Sequence, residues 1–94
     1  HATSDAANGW DKVCAAAPGN ARVAWETITA DPRERTQRQH PLRGSLATRV
    51  VNGERMEQWQ YEVTAGGRLW YAIDDENRTV WLTEARTGHP KATD

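Results

Sequence analysis

The sequence predicts an α+β fold, in which an N-terminal helical hairpin packs on a four-stranded antiparallel sheet. Before residue 30, apolar residues recur twice at helical spacing, with Pro18 and Gly19 between the two stripes. After residue 45, apolar and polar residues alternate in four short runs, which is typical of half-buried strands. Turn-forming residues separate these runs, so consecutive runs are expected to pair antiparallel. The 94 residues are predicted to form a single domain.

The two helices are predicted from their apolar stripes. The first covers residues 8–17, and its stripe consists of Trp10, Val13, Cys14 and Ala17. The second begins after Asn20, a predicted N-cap, and its stripe consists of Ala21, Ala24, Trp25 and Ile28. Because Cys14 lies on a stripe, we interpret it as a small buried hydrophobe rather than a reactive thiol. Residues 1–7 are small and polar, and are expected to be a frayed terminus or a segment added for expression.

Before the strands lies a polar segment for which the sequence allows two structures. Residues 33–39 are wholly polar and form either a solvated helical extension or a basic loop. The first strand is predicted over residues 46–51, and Asn52-Gly53 then predicts a type I′ hairpin turn into a strand over 54–63. Two further strands lie on either side of the acidic turn at residues 74–76. The alternation predicts one apolar face: Trp59, Tyr61, Val63, Leu69, Tyr71, Ile73, Val80 and Leu82. It predicts a second, polar face: Gln58, Gln60, Glu62, Arg68, Trp70, Ala72, Thr79, Trp81 and Thr83.

We expect the apolar face to meet the helices and the polar face to carry the function. If Trp70 and Trp81 lie on the polar face they can stack nucleic-acid bases, whereas a register slip of one residue would turn Trp81 into the core.

Charge and cysteine content narrow the function classes. The net charge is −1, but six arginines lie between residues 33 and 55, either as a phosphate-binding footprint or as ordinary solvated surface. One cysteine cannot form an internal disulfide, and the three histidines lack zinc-ligand spacing, so no metal or cofactor is expected. No run is apolar enough to span a membrane, and we expect a cytoplasmic protein with no membrane contact.

The ordered motifs resemble a known family. Leu42-Arg43-Gly44 is similar to a Leu-Lys/Arg-Gly turn, and residues 67–74 (GRLWYAID) are similar to a Tyr-Arg-Leu-Val-Tyr-x-Val strand. Residues 88–91 (GHPK) stand where a terminal His/Arg segment is found. Together these features resemble the RelE/ParE superfamily of type II toxin–antitoxin toxins, and within it the YoeB/RelE endonuclease branch. Three departures are the missing opening strand, the missing tail tyrosine, and Gln60 and Glu62 where the RelE branch carries lysines.

This resemblance implies a toxin that inhibits translation by cleaving messenger RNA on the ribosome. It implies a metal-independent endoribonuclease, or mRNA interferase, in which the ribose 2′-hydroxyl attacks the adjacent phosphate. The implied partners are a cognate antitoxin, messenger RNA and the ribosome, and a homodimer is left open. The alternative is a non-catalytic ParE-like toxin that acts on DNA gyrase, or an inactive protein of the RelE fold.

Candidate site residues follow from the same motifs. Arg68, a cation with a bidentate fork, is the candidate for stabilising the phosphorane charge. His89 and His40 are candidate acid and base, with Glu62 as an alternative base or orienting group. The candidate RNA-binding residues are Arg43, Gln60, Trp70 and Lys91. The two histidines are expected to converge on one cleft, because alternate strand ends of a meander return to the same edge.

Overall fold

The computed structural model describes residues 1–88, which form two helices followed by an antiparallel sheet. The helices are α1 (Ser4–Ala16) and α2 (Pro18–Ala30). The strands are β1 (Gln39–Pro41), β2 (Thr48–Val51), β3 (Glu54–Glu62), β4 (Arg68–Asp74) and β5 (Thr79–Arg86), with a short 3-10 helix at Gly44–Leu46. The predicted α+β class and the order of helical hairpin before sheet are confirmed. None of the helices among the described residues is long and apolar enough to cross a membrane.

The sheet has five strands rather than the predicted four. Its order is β1-β3-β4-β5, and β2 also pairs with β3, so that β1 and β2 lie along the same edge of β3. The additional strand is β1, which has only three residues and ends at Pro41. A run this short shows no alternation, and proline in a sheet is confined to positions such as edge strands. The sequence pattern therefore had no means of revealing β1.

The β2–β3 hairpin turn forms as the sequence predicted. Asn52 has φ 52° and Gly53 has φ 82°, and the type I′ turn requires positive values at both central positions. Asparagine and glycine tolerate this conformation better than other residues, so the dipeptide fixes the register of the hairpin. Residue 51 consequently pairs with residue 54, and the pairing continues to Thr48 and Glu57.

The helices cover one face of the sheet, which we call the inner face. Its core contains the predicted strand residues together with helix residues: Val13, Ala21, Ala24, Ile28, Trp59, Tyr61, Val63, Leu69, Tyr71 and Ile73. Helix α1 crosses β5 so closely at Gly9 that a Cβ there would collide with the carbonyl oxygen of Ala85. Glycine at this position therefore sets how near the helix can lie to the sheet. Cys14 is half-buried against the same core, which agrees with its interpretation as a hydrophobe.

The opening residues take part in the fold, whereas the sequence predicted a frayed terminus. Helix α1 begins at Ser4 because the Thr3 side chain accepts a hydrogen bond from the Ala6 amide, a standard N-cap. Before it, Ala2 forms a parallel bridge with Leu82 of β5, held by the Thr3 amide and the Leu82 carbonyl. The opening residues thus form a single bridge to β5 in place of an opening strand.

Two details of the helical hairpin also differ from expectation. Helix α2 starts at Pro18, a residue suited to the first turn of a helix, and not after Asn20. Asn20 instead donates from its side chain to the Val63 carbonyl and ties α2 to the end of β3. Trp25 was expected in the core but is 58% exposed, with its ring 6.4 Å from that of Trp10.

The opposite face, which we call the outer face, is only partly polar. A small second core seals one part of it, formed by Val51, Met56 and Ala72 with Trp81 packed against them. Both Trp70 and Trp81 lie on this face, since Trp70 pairs with Gln60 and Trp81 with Ala72. Trp81 belongs to that second core, and Trp70 lies on the unsealed part.

Candidate functional site

Arg68 is the first residue of β4 and follows a tight turn. The turn is closed by the Gly67 amide, which donates to the Thr64 side-chain oxygen at 2.9 Å. There is no room for a side chain at Gly67, because a Cβ would lie 2.7 Å from that same oxygen and 3.0 Å from the Thr87 carbonyl. The backbone conformation after β3 therefore brings Arg68 onto the outer face, as the sequence predicted. There it pairs with Glu62 of β3 on one side and Arg86 of β5 on the other.

The guanidinium of Arg68 lies over the indole of Trp70 with its anion-binding capacity unused. Its Cζ atom is 5.6 Å from the ring centroid, a cation–π distance. Its Nε atom is buried and has no hydrogen-bond partner, and Arg68 forms no ion pair within residues 1–88. Glu62 is directly opposite but does not form one. A cation held in place with an unfilled donor is suited to receive an oxyanion.

A second row of polar side chains crosses the sheet beside Arg68. His40, Gln60 and Trp70 pair in register across β1, β3 and β4, so all three lie on the outer face. The Trp70 indole donates to Gln60 Oε1 at 2.8 Å, and Gln60 Nε2 lies 3.4 Å from His40 Nε2. The other ring nitrogen, His40 Nδ1, is 3.1 Å from the Pro41 carbonyl oxygen. His40 is thereby joined to Trp70, on which Arg68 lies.

His40 and Arg68 lie in neighbouring rows of the outer face. His40 is two strands from Arg68 and one row along the sheet, so their Cα atoms are separated by about 12 Å from standard strand spacings. The arginine side chain is long enough to close part of that gap. The outer face thus brings together five of the predicted site residues: Arg68, His40, Glu62, Gln60 and Trp70.

The remaining predicted residues have other positions. Arg43 is exposed and precedes the 3-10 helix, in the loop between β1 and β2. This loop is fixed by Gln58, whose Nε2 donates to the Leu46 carbonyl at 2.9 Å. His89 and Lys91 lie outside the described residues, so the predicted meeting of His40 with His89 stays a prediction. Gly88, the last described residue, lies beside the β3–β4 turn, where a Cβ would be 3.6 Å from the Gly66 carbonyl carbon.

The basic segment does not form one patch. Arg33 forms ion pairs with Glu57 and Asp75, and its side chain donates to both Asp75 oxygens. These hydrogen bonds lower the pKa of Asp75 and, with those to Glu57, raise the pKa of Arg33. Residues 33–38 are a loop that follows the edge of the sheet, which settles the open alternative. The arginines of this segment thus serve partly to hold the loop.

Arg86 is a candidate phosphate-binding residue that the sequence reasoning missed. Strict alternation from Trp81 would turn residue 86 inward with Leu82. A bulge shifts the register, so that Trp70 pairs with Glu84 while Tyr71 pairs with Leu82. The extra residue is Thr83, and it moves Arg86 onto the outer face opposite Arg68. No turn residue marks this bulge in the sequence, so pattern alone gave no signal for it.

Comparison with known proteins adds a likeness in structure. No family model matches the sequence, and no curated protein matches it. A YoeB/ParE toxin from Agrobacterium tumefaciens is similar in structure, with a TM-score of 0.70 over 95% of both chains and 14% sequence identity. The chain has the RelE/ParE fold. The resemblance seen in the motifs therefore predicted the architecture correctly, including the helical hairpin followed by an antiparallel sheet.

Acidic and histidine side chains do not cluster in the part of the chain that the structure describes. No group of three or more His, Cys, Asp or Glu side chains among residues 1–88 is arranged to hold a metal ion. The acidic turn after β4 is instead organised by Asp74, which accepts from the Asn77 amide and side chain.

Proposed function

We propose that this chain is the toxin of a bacterial toxin–antitoxin pair and that it cleaves messenger RNA by 2′-hydroxyl attack without a metal ion. The observation that carries the proposal is the surroundings of Arg68. It is a cation whose buried Nε donor has no partner within residues 1–88, and it shares the outer face with His40. The RelE/ParE fold supports the toxin assignment, and the motif resemblance to the endonuclease branch supports the reaction.

Each candidate catalytic residue is assigned one role in the cleavage reaction. Cleavage needs a base for the 2′-hydroxyl, a cation for the charge that develops on the phosphorane, and an acid for the leaving 5′-oxygen. Arg68 provides the cation, and its fork can hold two phosphate oxygens. His40 is the base in this proposal and His89 the acid. Glu62, which lies directly opposite Arg68, takes the role of base if His40 proves dispensable.

RNA contacts beyond the reacting phosphate are assigned to the rest of the open surface. Arg43 is an exposed cation near the row of His40. Arg86 is an exposed cation in the row of Arg68, and its Nε is paired with Glu84 Oε2 at 2.6 Å, so a phosphate would have to bind its remaining donors or displace Glu84. Arg43 and Lys91 were predicted to bind phosphates, and Arg86 is added here because of the bulge at Thr83. Trp70 retains a half-buried indole beneath Arg68, so its contribution to base stacking depends on the guanidinium moving aside.

A second candidate is a binding toxin of the ParE type that acts on DNA gyrase. The similar toxin from Agrobacterium tumefaciens is described as YoeB/ParE, a name that covers both branches. A binding toxin has no need of a histidine beside the arginine, so the outer-face row favours the nuclease. An inactive protein of the RelE fold is the remaining alternative.

Primer extension on a messenger RNA, after the purified chain is added with and without ribosomes, tests the nuclease. We expect defined cleavage sites, products ending in a 2′,3′-cyclic phosphate or 3′-phosphate, and no effect of EDTA. A parallel supercoiling assay with DNA gyrase tests the alternative. Inhibition of gyrase together with intact RNA would contradict the nuclease and support the binding toxin.

The antitoxin is proposed to bind an apolar groove between the helices and β5. The groove has a volume of about 550 Å³, and its apolar lining includes Trp10, Trp25, Ile28, Val80 and Leu82. The alternative is an acidic antitoxin segment bound to the basic residues 33–55, but Arg33 is already paired within the chain. A groove of this kind suits the apolar side of a helix.

Calorimetric titration of the purified cognate antitoxin at several salt concentrations separates the two surfaces. An affinity that is nearly constant with salt, and that falls in Trp25→Ala but not in Arg43→Ala, supports the groove. An affinity that falls steeply with salt supports the basic segment instead.

A further inference from the structure

We propose that Gln60 and Trp70 are positioning residues that hold His40 in one tautomer, with the proton on Nδ1 and the lone pair on Nε2. The inference deepens the proposed nuclease function, in which His40 is the base. It rests on the direction of each hydrogen bond in the row that joins these three side chains across β1, β3 and β4.

The Trp70 indole sets the direction of the hydrogen bonds in this row. An indole Nε1–H can only donate, so the Gln60 oxygen, 2.8 Å away, must be the acceptor. A glutamine amide has its oxygen and its nitrogen on opposite sides of one carbon. With the oxygen committed to Trp70, the NH₂ group is the part that faces His40, and the two amide orientations are no longer equivalent.

The Gln60 amide then determines which ring nitrogen of His40 carries the proton. The Gln60 NH₂ group can only donate, so His40 Nε2, 3.4 Å away, accepts and carries no proton. On the far side of the ring, Nδ1 is 3.1 Å from the Pro41 carbonyl oxygen, which can only accept. Nδ1 therefore carries the proton. Both neighbours select the same tautomer, and it is the opposite of the Nε2–H form that free histidine prefers in water.

This tautomer is the one that a base on the outer face requires. His40 pairs in register with Gln60, so its Nε2 lone pair is directed along the row toward Gln60 and Trp70, and the neighbouring row contains Arg68. The contact with Gln60 is long for a hydrogen bond, so an incoming hydroxyl can replace it more readily than it could replace a short one. Gln60 and Trp70 need not touch RNA to have this effect, since they act through the histidine.

The test is a two-bond ¹H–¹⁵N correlation spectrum of the ¹⁵N-labelled chain at a pH where the histidines are neutral. The His40 signals are assigned by their loss in His40→Gln, which separates them from His1 and His89. We expect the unprotonated shift on Nε2 and the protonated shift on Nδ1. A protonated Nε2 in the wild-type chain would overturn the proposal.

Two variants examine the cause. Trp70→Phe keeps an aromatic ring but removes the N–H, so the amide is free to turn and the His40 nitrogens should shift toward a mixture of tautomers. Trp81→Phe is the matched control, because Trp81 is on the same face but forms no hydrogen bond with Gln60. If the His40 shifts in Trp70→Phe equal those of the wild type, Trp70 does not set the tautomer.

Gln60→Glu is an independent test, because it should reverse the tautomer of His40 while Trp70 stays in place. A carboxylate has no proton to donate, so it must accept from the histidine, and Nε2 should become proton-bearing. Backbone amide shifts of β3 and β4 confirm that each variant is folded. An unchanged, bare Nε2 in this variant would contradict the proposal.

The tautomer and the nuclease can fail separately. If the wild-type chain holds the Nδ1–H form but cleaves no RNA, the row is real and the proposed function is wrong. If it cleaves RNA with Nε2 protonated, the function stands and the positioning role is wrong.

Discussion

Two arginines at opposite ends of β4 have opposite surroundings. Arg33 lies near the end of the strand, where Glu57 and both oxygens of Asp75 accept its hydrogen bonds. Arg68 lies at the start of the strand, over an aromatic ring, with no ion-pair partner among residues 1–88 and with Nε unfilled. Arg33 is a structural residue that holds the loop at residues 33–38, whereas Arg68 has a hydrogen-bond donor that is not used within residues 1–88. Residue type alone does not distinguish them, and the difference indicates where function lies.

The same contrast holds between the faces of the sheet. The inner face is covered by both helices, and several of its polar groups are hydrogen-bonded within the chain, although the buried Gln39 Oε1 has no partner among the described residues. For example, the Tyr71 hydroxyl donates to the Pro32 carbonyl and accepts from Gln39, and burial raises the pKa of Tyr71. The outer face is sealed around Ala72 and open around Arg68. A small domain has a thin core, and here the second core covers only part of the outer face. The rest of the outer face is left as a surface for binding.

The strongest way to test the contrast is to remove each arginine in turn. Arg68→Ala should lower RNA cleavage about 100- to 1,000-fold, the usual loss when a group that stabilises developing charge is deleted. It should leave the unfolding midpoint nearly unchanged, because Arg68 has no ion pair to lose within the described residues. Arg68→Lys should restore only part of the activity, since it lacks the bidentate fork.

Arg33→Ala is the matched control, with the opposite expected result: full cleavage and a lower unfolding midpoint. Primer extension and thermal unfolding of both variants give the comparison. Cleavage by a folded Arg68→Ala chain at the wild-type rate would remove Arg68 from the mechanism.

A second test concerns the closeness of the inner-face packing. Gly9→Ala should lower the free energy of unfolding by about 3 kcal/mol, because the new methyl group forces α1 away from the Ala85 carbonyl. Gly19→Ala is the control on α2, where a Cβ meets nothing within 4 Å and alanine favours the helix. Urea unfolding measures both. Equal stabilities would mean that α1 can shift without loss, and that the inner face is less tightly packed than the structure indicates.

A third test separates the sealed and open parts of the outer face. Gln58 is fully buried, donates to the Leu46 carbonyl and accepts from Thr83 at 2.7 Å. Gln58→Leu should therefore cost about 1–3 kcal/mol, because the buried Thr83 hydroxyl and the part-buried Leu46 carbonyl lose their hydrogen bonds. Gln60→Leu, two residues along the same strand but half-exposed, should cost less. Urea unfolding and amide exchange in the loop at residues 42–47 provide the measurements; an equal cost at both positions would argue against this division.

The smallest expected effect is a pH dependence of the stability that the ion pair between Arg33 and Asp75 contributes. Hydrogen bonds from Arg33 lower the pKa of Asp75 in the folded chain, so the native state binds its proton less readily than the unfolded state. The stabilisation is complete above the ordinary aspartate pKa of about 4 and is lost as the pH falls through the lowered value.

Thermal unfolding of the wild type and Asp75→Asn across the acid range checks this expectation. The difference in midpoint should be small at neutral pH, since Asp75 is exposed, and should disappear at the lowest pH. A difference that does not change with pH would assign the effect to packing rather than to charge.

The sequence by itself determined the fold class, the two faces of the main strands and the hairpin turn. Each depends on local periodicity or on a backbone conformation that few residues tolerate, such as Asn52-Gly53. It also placed Arg68 on the outer face, because a glycine turn followed by alternating residues fixes the direction of the first side chain. These are short-range properties, and they can be read from neighbouring residues.

Only the tertiary structure decided which polar residues are used up and which remain available. The bulge at Thr83 moves Arg86 onto the outer face, and the bridge from Ala2 to Leu82 orders an opening that has no strand pattern. Arg33 becomes structural because Asp75, forty-two residues away, folds against it. The hydrogen-bond direction at His40 likewise depends on Trp70 across two strands. Long-range pairing decides these points, because a side chain's partners lie far along the chain and leave no periodic signal near it.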